Sequence, residues 1–303
     1  MLRGRFFRVV KDSKVFNSLK PFGRASVKCR CYFRKSKCFA KFVAKAEILN
    51  IMLNKTAIKT FIAMSLLSFL GCAPKTAPAY PQDVITAADG SPITVTFFHH
   101  ASLAVDWLGR RIYIDPVGES IDWAKLPKAD VIMITHSHYD HFDLPTVEML
   151  RGKDCAIICD KTTAEAFEHD CTTMLPGDTA APFEELSVKA VRAYNITEGH
   201  TQFHPKERED CGYVLTMGGT TLYVSGDTED NDDVMSLRGI DIAFLPVNQP
   251  YTMTVEQAVR AVKAIRPKIF YPYHYGQVEE KTDIDRLVRE LDGVCEVRVR
   301  PME

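Results

Sequence analysis

The chain has 303 residues, 46% of them hydrophobic and 25% charged, which allows a sizeable buried core and excludes collagen-like, coiled-coil and wholly disordered classes. Its formal net charge of −1 hides a split, because residues 1–51 hold 14 Lys/Arg against Asp12 and Glu47 and leave 24 basic and 37 acidic residues beyond them. The acidic body argues against nucleic-acid binding, which needs grooves lined with Lys and Arg.

In chain order, residues 1–51 show no sustained helical or alternating period, and Cys29, Cys31 and Cys38 lack the paired Cys-x-x-Cys spacing of a zinc site. They read as a basic extension, non-native or disordered. Residues 52–72, "MLNKTAIKTFIAMSLLSFLGC", carry Lys55 and Lys59, an apolar core from Thr60 to Leu70, and Gly71 before Cys72. The apolar run is too short to span a bilayer as a mature helix. It resembles a bacterial lipoprotein signal peptide, although Phe69-Leu70 departs from the usual pattern before the cleavage point. That resemblance implies lipidation at Cys72, residues 73–90 as a linker, and a cell-envelope protein touching the membrane only through its lipid anchor. Without a working signal the chain stays cytoplasmic.

The remaining domain, 91–303, opens with short β-branched or aromatic runs at 91–98, 102–107 and 110–116, then the apolar run "ADVIMIT" at 129–135. "DLPTVEMLRG" (143–152) has an Asp cap, an early Pro and a terminal Gly, so it predicts a short helix. Strands follow at "CAIICD", 186–195, 212–217, 220–227 and 240–247. "CAIICD" as a strand holds Cys155 and Cys159 about 13 Å apart, too far for a disulfide. Thr254 and Gln257 predict a capping box opening a helix that Pro267 closes. Strand 268–274, a helix near 282–292 and a last strand "CEVRVR" complete two sheets faced by helices, a layered α/β arrangement.

The chemistry centres on "THSHYDH". His136, His138, Asp140 and His141 leave the C-terminal end of an apolar strand, where open α/β sheets place ligand groups. Four such side chains within six positions can face two adjacent divalent cations; imidazole favours zinc and added carboxylate admits manganese.

His-x-His-x-Asp-His after an apolar strand resembles the metallo-β-lactamase-fold hydrolases. The likeness covers residues 91–303, and "FFHHASL", "DHFD", the late Gly226-Asp227 and "PYH" resemble the ascorbate-6-phosphate-lactonase-like branch within it. The resemblance implies a four-layer αββα sandwich and a hydrolase using a metal-bound hydroxide on an ester, lactone or phosphodiester bond. It implies Asp227 as bridging carboxylate and His274 as the last ligand of a second metal site with Asp140 and His141. At the third ligand position of the first site stands Asn195 in "VRAYN". Either Asn195 coordinates weakly, or His200 or His204 reaches in; the favoured arrangement has Asn195 facing the site, His204 as proton donor and His200 at the surface. Asp140 is the expected catalytic carboxylate, with His204 or His100 protonating the leaving group. A competing expectation is a metal-binding lipoprotein whose first site is degenerate and which turns nothing over. Tyr194, Tyr273 and Tyr275 lie near ligands and fit the core better than a substrate surface.

Overall fold

The computed structural model describes residues 80–302 other than 119, 168–169, 277 and 279–280. The basic extension, the signal segment with Cys72 and the start of the linker lie outside the described residues.

The first sheet is built from β1 (Gln82–Thr86), β2 (Pro92–Phe97), β3 (Leu103–Trp107), β4 (Arg110–Ile114), β5 (Ala129–Ile134), β6 (Arg151–Cys159) and β7 (Thr172–Thr173), in that spatial order. α1 (Leu144–Leu150) lies between β5 and β6, and α2 (Lys161–Ala166) between β6 and β7. The second sheet holds β8 (Thr179–Phe183), β9 (Leu186–Arg192), β10 (Cys211–Met217), β11 (Thr220–Val224), β12 (Ile242–Pro246), β13 (Ile269–Tyr273) and β14 (Glu296–Val297), again in sequence order. Its helices are α3 (Asp232–Met235), α4 (Val255–Ile265) and α5 (Ile284–Glu290).

Both sheets have one construction. β1 to β4 form an antiparallel meander and β4 to β7 run parallel. β8 to β11 repeat the meander and β11 to β14 the parallel run. Burial follows from this: β5 is apolar along nearly its whole length because both faces are covered, whereas the meander strand β9 alternates buried and exposed residues. Phe97, Val105, Leu215, Phe244 and Tyr271 belong to the core shared by the two sheets. α4 and α5 cover the outer face of the second sheet, and α1 with Trp123 covers that of the first. The four layers are therefore αββα.

Local signals explain the helices. Asp143 accepts from Thr146 N at the start of α1, and the Thr254–Gln257 capping box is complete at α4. α4 stops at Arg266, whose left-handed backbone precedes Pro267.

Two expectations need correction. Residues 82–86 are an edge strand paired with β2, so the linker cannot run to residue 90. "CEVRVR" pairs only through Glu296 and Val297, because Arg298 and Arg300 turn to a carboxylate instead. α2, β7 and β8 carry too little periodicity to be read in advance. Cys155, Cys159, Cys171, Cys211 and Cys295 are free thiols, in keeping with the absence of a disulfide framework in their spacing.

That carboxylate is Asp83 on β1. It accepts from Tyr271 Oη at 2.5 Å and from Arg300 Nη2 at 2.7 Å, with Arg298 Nη1 at 3.4 Å. The cluster ties the first described strand to β13 and the C-terminal segment. Burial opposes ionisation of Asp83, but Tyr271, Arg300 and Arg298 outweigh it and hold the carboxyl below its usual range. A lowered folded-state pKa contributes stability above the unfolded carboxylate pKa, and the contribution is lost as pH falls through the folded value. Asp83→Asn should therefore cost about 1–3 kcal/mol in urea unfolding at neutral pH. The gap to the unsubstituted protein should close on acidification; a gap that is constant with pH would rule out the ion cluster as its cause.

Candidate metal centre

The ends of the parallel strands converge between the sheets. Asp115 follows β4, His136 follows β5, Asp227 follows β11, Asn248 follows β12 and His274 follows β13. The backbone is bent sharply there: His100, Asp115 and His274 have φ of 55°, 46° and 52° without being glycine. Such conformations cost of order 1 kcal/mol or more each and persist only where surroundings enforce them. His274 N donates to His100 O, and His100 N donates to Met302 O, so the two strained turns brace each other. Gly226 has φ +61°, and a Cβ on it would lie 2.9 Å from Thr135 Cβ. Only glycine fits this contact, which sets Asp227 against the β5 loop.

Asp227 is buried and reaches both ways. Its Oδ1 lies 3.1 Å from His141 Nε2 and 3.2 Å from His274 Nε2, while Oδ2 lies 3.3 Å from His204 Nε2. Two donor groups flank it. His136, His138 and His204 form one; His100, Asp140, His141 and His274 form the other, each with donor atoms within 4.8 Å of one another. Asp140 Oδ2 is 3.2 Å from His100 Nε2 and 3.5 Å from His274 Nε2. It is partly exposed and faces a cavity of about 550 Å³.

Outer contacts aim the rings. Asp115 accepts from Thr135 N and Oγ1, each at 2.7 Å, and from His141 Nδ1 at 2.8 Å, which leaves His141 Nε2 its lone pair. Asn248 Nδ2 lies 3.3 Å from His274 Nδ1, and Arg208 Nη1 lies 2.7 Å from His138 Nε2. Burial opposes charge on Asp227, but His274, His141 and His204 outweigh it and keep the carboxyl ionised. Asp140 is likewise held a carboxylate against burial by His100 and His274. Burial, with the neighbouring His274, pushes His100 down to about 4. Burial and His204 push His138 to about 4, and burial with His141 keeps His136 well below the ordinary imidazole range. His141 is the exception, raised against burial by Asp227 and Asp115.

The residues fit divalent cations. His141 Nε2, His274 Nε2 and Asp227 Oδ1 are buried and close together, yet none has a hydrogen-bond partner. Buried polar atoms are ordinarily satisfied, and converging lone pairs of this kind suit a cation.

The structure departs from the sequence reading at one position. The Asn195 amide turns to the loops: its Nδ2 donates to Tyr251 O at 2.7 Å and His200 O at 3.3 Å, and its backbone N donates to His204 O at 2.9 Å. His204, the alternative third donor, stands with His136 and His138 in one group. The cause is register. β9 ends at Arg192, and the loop after it doubles back to return His204 beside the strand end. His200 is half-buried, 3.4 Å from Glu229. Tyr273 donates to Gly226 O and Tyr275 to Arg300 O, while Tyr194 is buried beneath Lys206, so all three serve packing. Asp115, Asn248, Arg208 and Glu229 were not singled out. Asp115, ending "YIDP" at a strand terminus, carried the one local signal among them.

Comparison with known proteins agrees with this geometry. The family described as "Beta-lactamase superfamily domain" matches residues 94–274. A UPF0173 metal-dependent hydrolase from Pelotomaculum thermopropionicum is 30% identical over 195 residues, 60% of this chain and 84% of that one. A candidate metal-dependent hydrolase of known structure from Parabacteroides distasonis is 39% identical, with TM-score 0.70 over 74% of this chain and 100% of that one. Igni18, described as a novel metallo hydrolase from Ignicoccus hospitalis, is 24% identical with TM-score 0.58 over 70% of this chain and 96% of its own, a likeness of fold. With a family match spanning more than half its length and relatives covered almost end to end, this chain belongs to the metallo-β-lactamase superfamily as a metal-dependent hydrolase of the UPF0173 type.

Proposed function

We propose that this hydrolase works with two divalent cations, zinc by preference and manganese as the alternative, on an ester, lactone or phosphodiester bond of a small molecule. The observation that carries the reading is the pair of donor groups joined by the two oxygens of Asp227. His136, His138 and His204 would hold one cation and Asp140, His141 and His274 the other. Zinc is favoured by the excess of imidazole, and the two carboxylates admit manganese. Bound there, the cations would polarise the scissile oxygen and lower the pKa of a water.

The chain's own groups supply the rest. Asp140 Oδ2 faces the cavity as a carboxylate, positioned to orient a water and take its proton. His100 is neutral by burial and donates from Nε2 to Asp140, fixing that oxygen. Asp115 keeps His141 in one tautomer. The lactonase-like motifs "FFHHASL" and "DHFD" support a lactone within this set of bonds. Cation binding without turnover requires a degenerate first group, and a third histidine in that group speaks against it. We also infer attachment to the cell envelope through lipidated Cys72, supported by the basic and apolar pattern of residues 52–72.

Three outcomes test these readings. Elemental analysis of His204→Ala should find one cation fewer per chain, with activity down at least about 100-fold, whereas Asn195→Ala should keep its metal content. Equal metal loss in both variants would return Asn195 to the ligand set. Asp140→Asn should lower kcat by about 10²- to 10⁴-fold on an ester and lactone panel at matched metal content; an unchanged kcat removes Asp140 from the chemistry. In a bacterial host that lipidates its own lipoproteins, Cys72→Ala should move the protein from the membrane fraction to the soluble fraction. Membrane association that survives this change would refute the anchor.

A further inference from the structure

Two loops wall the cavity beside the metal centre. One, residues 195–204, follows β9; the other, 248–253, follows β12. Asn195 stitches them together through Tyr251 O, and fully buried Glu229 clamps the first by accepting from Ile196 N and Thr197 N at 2.7 Å each. This bracing sets Phe203 edge-on to Tyr251, with ring centroids 4.8 Å apart at 66°. Both rings line the cavity, together with Val278 and Tyr139, which is 88% exposed.

Among the described residues lining that cavity none is Lys or Arg, so positive charge there would come from the cations and imidazoles at its floor, with Asp140 and Asp227 offsetting part of it. Arg208 is committed to Asp210, Ser137 and His138 and does not line the cavity. A second cavity of about 610 Å³ shares Tyr139, and its described lining, which includes Ile121, Trp123 and Met149, also lacks Lys and Arg. An anionic group on the substrate seated against Phe203 and Tyr251, out of reach of the cations, would lose water there without gaining a cationic side chain. An aromatic ring would gain apolar and edge-to-face contact with a preformed pair.

We propose that the substrate carries an uncharged aromatic or bulky apolar group next to the scissile bond, and that Phe203 and Tyr251 select it. This rests on the hydrolase reading above. Two matched pairs isolate the flanking group from the bond: γ-phenyl-γ-butyrolactone against γ-carboxy-γ-butyrolactone, and methyl phenylacetate against monomethyl malonate.

The full chain, loaded with zinc or manganese, should favour the phenyl member of the pair it cleaves by about tenfold or more in kcat/KM. Tyr251→Ala should remove most of that preference by raising KM for the phenyl member, leaving the carboxylate member within about twofold. Tyr251→Phe should retain it, since the Tyr251 contact with Asn195 uses the backbone carbonyl. Metal content and Tm measured on each variant separate a lost contact from a damaged fold. A preference for the carboxylate members, or an equal loss on both members in Tyr251→Ala at full metal content, overturns the inference while leaving hydrolysis intact. No turnover of any of the four compounds by fully loaded protein, with a broader ester and phosphodiester panel also inert, overturns the hydrolase reading and this inference with it.

Discussion

A buried carboxylate in need of compensation governs the site. Asp227 is 3% exposed, and an unpaired charge at that depth is prohibitively costly. The imidazoles of His141, His274 and His204 stand within 3.3 Å of its oxygens, and each comes from a different loop. Satisfying one residue therefore fixes the relative positions of the loops after β5 and β13 and of the segment after β9. The left-handed turns at His100 and His274, and the close approach of Gly226 to Thr135, follow from crowding these loops around a single side chain.

The repeated construction of the sheets explains why such crowding is available. Each sheet passes from an antiparallel meander to a parallel run, and a parallel run sends successive crossover loops out of the same edge. Two sheets packed face to face bring two such edges together. Asp115 and His136 come from one edge, Asp227, Asn248 and His274 from the other. No repeat is visible in the amino-acid sequence, because the two halves share connectivity and burial rather than residues.

Legibility in the sequence follows the same division. "THSHYDH" was readable because four donor residues sit within six positions after an apolar strand, so proximity in sequence guarantees proximity in space. Asp227 and His274 were readable through the family resemblance, which their strand-end positions accommodate. His204 was not. It lies a full loop away from its strand, and its place depends on the bond from Asn195 N to His204 O and on Glu229 clamping the same loop. Asn195, at the strand-end position, is a polar residue in the right neighbourhood with a different task. Two sheets faced by helices were legible from alternating and continuous apolar runs and the four-layer order from the resemblance, while β1 was hidden by a stretch, QDVIT, whose half-exposed edge position leaves little apolar pattern.

The unmet bonding capacity of the centre links stability to chemistry. His141 Nε2, His274 Nε2 and Asp227 Oδ1 are buried without a hydrogen bond, and a cation among them would satisfy all three. Cations that bind this arrangement and not the unfolded chain stabilise the folded state by mass action. The contact from Asp115 acts before any cation arrives, since it holds His141 in the tautomer whose Nε2 faces Asp227. The cavity walls come from two loops joined by Asn195, and the first of them carries Phe203 next to His204, so the brace that shapes the wall also positions a donor.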